Sequence, residues 1–236
     1  MSQYICVDIG GTSIKHGVLD ENAIIKECNQ TKTEAWLGGA AVLDKVKTIG
    51  KQYKEQYENI EGICISTAGM VDPEEGKIVF AGELMPGYTG TCIKKELEKA
   101  LEMPCEVEND VNCAGLAEYV SGSAKESHIM FCATVGTGIG GCAIVNGRVF
   151  HGASNSACEV GYIPMGDSDF QTLGASSILV RKVAEKKIEP LDMWDGKKIF
   201  ELAEKGDEVC ISAIKEMCDV LGKGLATICY VLNPDT

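Results

Sequence analysis

Two glycine-rich turns, each standing between two apolar β-type runs, constrain this chain more than any other feature. The first, Asp8-Ile9-Gly10-Gly11-Thr12, follows the run Tyr4–Asp8 and precedes Ile14–Leu19. The second, Gly136-Thr137-Gly138-Ile139-Gly140-Gly141, follows Ile129–Val135 and precedes Cys142–Val145. Glycine loops of P-loop and dinucleotide folds join a strand to a helix, whereas these join a strand to a strand. Without a Cβ the backbone turns tightly and brings its N–H groups close to an anion. Either turn alone is equally an ordinary hairpin. Two of them, one opening each half of the chain, point to paired phosphate-binding hairpins across an inter-domain cleft, where small ligands often bind.

The pattern around the turns predicts mixed α/β structure. Ala23–Cys28 reads as a further strand after the turn Asp20-Glu21-Asn22, and Leu43, Val46, Ile49 and Tyr53 give Leu37–Tyr57 a helical spacing. Gly62–Ser66 and Cys105–Val107 read as short strands, and Cys92–Leu101 as a helix stopped by Pro104. Asn109–Val120 reads as a helix capped by Asn109 or Asp110. The stretch holding Pro73, Pro86 and several glycines reads as loop. After Arg148–Phe150, helices are predicted over 175–187, 196–204 and 207–231. Strands alternating with helices predict helix-covered sheets. The expected division is a first α/β domain over 1–118 and a second over 119–236.

Charge narrows the partners. A net charge of −13 lacks the basic footprint of a nucleic-acid or anionic-membrane binder. No apolar run approaches the roughly 20 residues of a spanning helix. Met1-Ser2-Gln3-Tyr4 lacks the basic-then-apolar pattern of a secretory signal, so a cytoplasmic protein is expected. None of the twelve cysteines forms a Cys-x-x-Cys pair. Cys6, Cys64, Cys132, Cys142 and Cys229 lie in apolar stretches and are expected to be buried small hydrophobes in a reducing compartment. His16, His128 and His151 have no ligand spacing.

Three groups of residues are suited to chemistry. Asp8, at a strand end, suits orientation of water on a Mg²⁺ ion, with the Thr12 hydroxyl and the Lys15 charge close behind. Glu108-Asn109-Asp110-Val111-Asn112 puts carboxylates where a strand meets a helix. There a carboxylate can take a proton from a hydroxyl while the helix N-terminus stabilises its charge, although the same residues are ordinary caps. Glu159-Val160-Gly161-Tyr162, after a turn-rich stretch, presents a carboxylate suited to sugar hydroxyls.

Together these residues resemble the ROK family of sugar kinases and sugar-responsive repressors. The likeness covers essentially the whole chain and is strongest at Asp8–Lys15, Glu108–Glu118, Gly136–Gly141 and Glu159–Gly161. It implies an actin-like (ribonuclease H-like) pair of α/β domains that close on ATP and a hexose. It implies Asp110 as the general base and sugar contacts from Asn109, Glu159, Gly69 and Tyr162. It implies phosphate contacts from Asp8, Gly10, Gly11, Thr12 and Lys15, and from Gly136, Thr137, Gly138 and Gly140. ATP with Mg²⁺ is the implied cofactor, a small sugar the partner, and a homodimer the usual family state.

Three departures qualify the likeness. Tyr162 stands where many members have a zinc-binding histidine, and Asp167–Leu173 runs into Gly174-Ala175-Ser176-Ser177 without a cysteine cluster, so no zinc is expected. That pattern looks most like the β-glucoside kinase branch. Ala81-Gly82-Glu83-Leu84 stands where an Asn-Leu pair commonly holds the sugar. Members also continue past Asn233-Pro234 with a strand, an adenosine-holding turn and closing helices, so a C-terminally truncated chain that binds ATP poorly is expected. With Asp8 eight residues from the start, the DNA-binding domain of the family's repressors is not expected ahead of it. The expected activity is ATP-dependent phosphorylation of a hexose or hexoside, at the 6-hydroxyl of glucose, a β-glucoside or N-acetylmannosamine. The alternative is a non-catalytic sugar-binding regulator.

Overall fold

In the computed structural model, which describes residues 2–236, the chain forms two compact units, one ending at Cys113 and one over Ala114–Thr236. The first contains β1 (Gln3–Ile9), β2 (Ser13–Asp20), β3 (Ile25–Lys32), α1 (Gly39–Gln56), β4 (Ile60–Thr67), β5 (Met70–Asp72), β6 (Lys77–Phe80), α2 (Ile93–Leu101) and β7 (Cys105–Asn109). Its five-stranded sheet has the order β3-β2-β1-β4-β7. β1, β4 and β7 are parallel, while β2 and β3 are antiparallel additions.

Strand alternation decides what each sheet face does. Ile5, Val7 and Ile9 of β1, Ile63 and Ile65 of β4, and Cys105 and Val107 of β7 enter one core. Val42, Val46 and Ile49 of α1 and Ile93, Leu97 and Leu101 of α2 close that core. The intervening residues Cys6, Asp8, Cys64 and Ser66 belong to the opposite face. This corrects the expectation that Cys64 is buried: it is exposed, as is Cys229 on a later helix, whereas Cys142 is buried as expected and Cys6 and Cys132 are half-buried. An apolar neighbourhood in sequence is shared by both faces of a strand, and only one of them is core.

The parallel strands end together, with Ile9 beside Thr67 and Thr67 beside Asn109. The first glycine turn, Gly69 and the start of the next helix therefore share one edge. Two further differences lie near that edge. The helix expected from Leu37 starts at Gly39, because Ala35–Leu37 forms a separate 3-10 turn and Gly38 adopts φ +89°. The expected loop after Gly69 contains the hairpin β5–β6, turned by Asp72, whose Oδ1 accepts from the Glu74 and Glu75 N–H groups.

α3 (Asp110–Ser121) carries the chain into the second unit. There β8 (Ile129–Val135), β9 (Ile139–Val145) and β10 (Arg148–Val149) form an antiparallel sheet. The small hairpin β11 (Pro164–Met165) and β12 (Ser168–Asp169) follows, then α4 (Phe170–Gly174), α5 (Ser176–Lys187), α6 (Gly196–Glu204) and α7 (Glu208–Leu232). Gly224 of α7 admits the Phe170 ring, which would stand 2.3 Å from any Cβ there. The last residues run beside β8: Asp235 accepts from the His128 and Ile129 N–H groups, and Phe131 N donates to Thr236 O. Among the described residues no helix is long and apolar enough to cross a membrane.

α7 begins on Asp207, whose carboxylate accepts from Cys210 N and pairs with Lys187. The Lys187 hydrogen bond, then the Cys210 backbone bond, lower the Asp207 carboxyl from 3.8 to about 2. A depressed carboxyl adds stability above its unfolded value that disappears as pH falls through the folded one. Asp207→Asn is therefore expected to lower the melting temperature at neutral pH. The gap to the parent should close between pH 3.8 and about 2, as followed by circular dichroism melts.

Candidate functional site

The β7–α3 junction is built by hydrogen bonds that its own sequence supplies. Asn109 Oδ1 accepts from Val111 N at 2.9 Å and Asn112 N at 3.1 Å, capping α3. Its Nδ2 donates to Gly69 O at 2.9 Å. Gly69 has φ +101°, and a Cβ there would stand 2.8 Å from Phe80 O, so the position requires glycine. Glu108 Oε1 accepts from Asn109 N and Asn112 Nδ2 at 2.7 and 2.9 Å. The cap and the sugar-binding candidate are thus the same residue, with one amide hydrogen of Asn109 already spent on Gly69.

Asp110, first residue of α3, accepts from Val111 N at 2.9 Å. Its surface is open to solvent, yet the surrounding protein leaves its charge poorly hydrated. That burial raises its carboxyl above 3.8, with a smaller push from the Asp8 charge, while the Val111 hydrogen bond opposes the rise. Asp8 is held by Ser66, whose Oγ donates to its Oδ1 at 2.8 Å, and Lys15 lies opposite Asp8 in the β1–β2 ladder.

The first glycine turn is fixed from behind. Gly10 N donates to Ser13 O, Thr33 N donates to Thr12 O, and Thr33 Oγ1 donates to Gly10 O at 2.6 Å. Neither Gly10 nor Gly11 takes the left-handed conformation, and a Cβ on Gly11 would meet nothing within 4 Å. The turn itself does not demand glycine at 11; what the glycine leaves is uncovered backbone beside exposed Thr12.

In the second unit the turn is shorter than expected. It spans Gly136–Gly138, while Gly140 and Gly141 lie in β9, because Ile139 is a core residue and starts the strand early. The start of α5 takes up its carbonyls: Ser176 Oγ donates to Val135 O, and Ser177 Oγ donates to Thr137 O at 2.7 Å. Glu159 opens a one-turn 3-10 helix over Val160–Tyr162, with Tyr162 N donating to Glu159 O at 3.2 Å. Residues three apart eclipse in such a turn, so Glu159 and Tyr162 share its outer side, both exposed, with Val160 and Gly161 buried beneath. Gln171 Oε1 would stand 2.7 Å from a Cβ on Gly138 and 2.9 Å from one on Gly161, linking the two turns.

The structure thus gathers Asp8, Gly10–Thr12, Lys15, Gly69, Asn109 and Asp110 on one strand edge of the first unit. In the second unit it gathers Gly136, Thr137 and Gly138 beside the Glu159–Tyr162 turn. Sequence reasoning missed Ser66, Gln171, Ser176 and Ser177. Of these only Ser66 carried a local signal, since it alternates in phase with the strand's outward face.

A model of the ROK family matches residues 4–236. The chain belongs to the ROK family. An uncharacterized protein of Clostridium perfringens is 46% identical over 100% of this chain and 79% of its own length. A beta-glucoside kinase of Klebsiella pneumoniae is 30% identical over 97% of this chain and 78% of its own. The crystal structure of a ROK family glucokinase from Streptomyces griseus, in complex with glucose and AMPPNP, superposes with a TM-score of 0.84 at 26% identity. That match covers 99% of this chain and 81% of the other. This ROK chain has the actin-like ATPase fold expected of it.

Proposed function

We propose that this ROK chain is an ATP-dependent carbohydrate kinase that phosphorylates a hexose or hexoside at its 6-hydroxyl. The observation carrying the proposal is Asp110. A carboxylate at a helix N-terminus, with a proton affinity raised by burial and by Asp8, is suited to accept the proton of an attacking hydroxyl. The named kinases among its relatives support the same reaction class.

In this mechanism Asp110 orients the sugar hydroxyl and accepts its proton as the oxygen attacks the γ-phosphoryl group and the bond to ADP breaks. Asn109 offers its second amide hydrogen to a neighbouring sugar hydroxyl, and Gly69 shapes that wall. Glu159 accepts from sugar hydroxyls and Tyr162 covers the ring. Backbone N–H groups of Gly11 and Thr12, with the Lys15 charge, hold phosphate oxygens at a turn that Gly10 closes with its own N–H on Ser13 O. Gly136, Thr137, Gly138 and Gly140 line the phosphate turn of the second unit, where the Gly136 N–H closes the turn on Gly138 O. Asp8 and Asp110 lie close enough for one charge to raise the other's carboxyl, an arrangement that a dication relieves, and Asp8 would hold Mg²⁺ through water. Bound Mg²⁺ supplies neutralisation of the phosphate charge.

A coupled ADP-release assay against glucose, N-acetylmannosamine, fructose and cellobiose tests the proposal. Turnover with at least one sugar is expected. Sugar binding by calorimetry without turnover of any would replace it with the non-catalytic regulator.

A further inference from the structure

Two tripeptides repeat one pattern on neighbouring strands: Ile5-Cys6-Val7 in β1 and Ile63-Cys64-Ile65 in β4. Side chains alternate along a strand, and Ile5, Val7, Ile63 and Ile65 all enter the core. Both sulfurs are therefore turned to the other face. The parallel register sets Cys6 directly beside Cys64. Paired positions on adjacent strands are about 4.8 Å apart, inside the roughly 4.4–6.8 Å between Cα atoms that a disulfide spans. The sulfurs already meet, since the Cys6 S–H donates to Cys64 Sγ.

Cys64 is exposed and Cys6 half-buried. Gly17, beside Cys6 on β2, and Gly62, two residues before Cys64 on the same face, put no side chain over the pair. Glu106, beside Cys64 on β7, is engaged by Lys94. The hydrogen bond from Cys6 outweighs burial and the Glu106 charge and brings the Cys64 thiol from 9.0 down to about 7. A thiol poised near ambient pH attacks disulfides well, because it is substantially ionised and still nucleophilic. Other cysteines are less suited. Cys105 lies in the core and Cys113 beside Ser66, and burial pushes both thiols up to about 12. Cys28 is exposed, but Gly17 of β2 stands between it and Cys6, about two strand spacings away. Cys132 and Cys142 also pair across β8 and β9, but Cys142 is buried.

We propose that Cys6 and Cys64 form a dithiol site for exchange with low-molecular-weight disulfides, closing to a reversible Cys6–Cys64 bond. The Cys64 thiolate, its proton lost to solvent, attacks one sulfur of the small disulfide. The small disulfide's S–S bond breaks, a Cys64 mixed disulfide forms, and one small thiolate leaves and takes up a proton. The Cys6 sulfur then attacks the Cys64 sulfur, giving up its proton as the second small thiolate leaves and is protonated. Two protein thiols are oxidised by two electrons, and one small disulfide is reduced to two thiols. Exposure of Cys64 leaves the bond open to attack by the same thiols, so it reverses. This chemistry is independent of the kinase reading.

The test adds one equivalent of oxidised glutathione to the reduced chain near neutral pH, blocks the remaining thiols with N-ethylmaleimide and maps the peptides. A linked Cys6–Cys64 peptide pair is expected, with no glutathione left on Cys64 and the bond reversed by dithiothreitol. Cys6→Ser should trap the mixed disulfide, so that glutathione on Cys64 rises about tenfold or more over the parent. The urea-unfolded parent, in which the fold no longer sets the register, should lose the linked pair by about the same factor. A parent that keeps glutathione on Cys64, leaves Cys64 to the maleimide, or links either residue to another cysteine overturns the site. So does a Cys6→Ser chain that sheds glutathione as the parent does, or a linked pair that forms equally in urea. If Cys6→Ser does not fold, the folded and unfolded maps of the parent decide by themselves.

Discussion

Asp110→Asn is expected to lower kcat by about a hundredfold to ten-thousandfold, the range for removing a positioned general base. The substituted amide keeps an oxygen for the Val111 N–H group, and Asn109 remains the cap, so α3 should start unchanged. Sugar affinity by calorimetry should therefore stay near that of the parent while turnover falls. The pH profile gives a second readout. Only the deprotonated carboxylate accepts a proton, and burial with the Asp8 charge holds Asp110 above 3.8. The rate should fall as pH drops through that raised value, giving an acid limb above the ordinary carboxylate position. Asp8→Asn removes one of the two upward pushes and is expected to move the limb toward lower pH, besides weakening turnover. An Asp110→Asn protein that keeps the parent's kcat would remove the base assigned to this site.

The parts legible in the sequence were those set by local periodicity. β8 has the predicted bounds, and α2, α5, α6 and α7 start or stop within a residue or two of expectation, because capping groups and apolar spacing act over a few positions. The strand-flanked glycine turns were legible for the same reason. What was not legible depends on distant partners. Leu37 continues a helical apolar pattern, yet Gly38–Gly39 pack on Pro86–Tyr88, and the chain breaks there into a 3-10 turn before α1. Cys64 sits in an apolar run but lies on the face opposite the core, and its neighbours in sequence could not indicate which face that is. Phe170 was left outside any element, yet it seats α4 in the gap that Gly224 leaves on α7, some fifty residues downstream. In the candidate site the backbone positions were readable, while Ser66 and Ser177 act through hydrogen bonds to residues 58 and 40 positions away, and Gln171 acts by its close approach to Gly138 and Gly161.

Gly161→Ala is expected to damage both the second unit and the turn carrying Glu159 and Tyr162, to which the proposed function assigns sugar contacts. A Cβ at Gly161 would stand 2.4 Å from Ile139 O and 2.9 Å from Gln171 Oε1. Ile139 cannot retreat, since its side chain is in the core and its backbone pairs with Val135 in the β8–β9 ladder. The side of the contact that can move is the one-turn helix carrying Glu159 and Tyr162. Overpacking of this kind costs about 1–3 kcal/mol, and 1.4 kcal/mol is tenfold in a binding constant. Sugar affinity should therefore fall by about tenfold or more as the turn lifts, with a lower melting temperature for the same reason. Gly196→Ala is the matched control: a Cβ there meets nothing within 4 Å, the position opens α6, and its φ is not left-handed. It should leave sugar affinity unchanged and hold or slightly raise the melting temperature, because alanine loses less conformational freedom than glycine on folding. Calorimetric titration with the preferred sugar and thermal melts on both variants separate the effects. A Gly161→Ala protein with the parent's affinity and melting temperature would show that the turn carrying Glu159 and Tyr162 is not held against β9, and that its position does not set sugar binding.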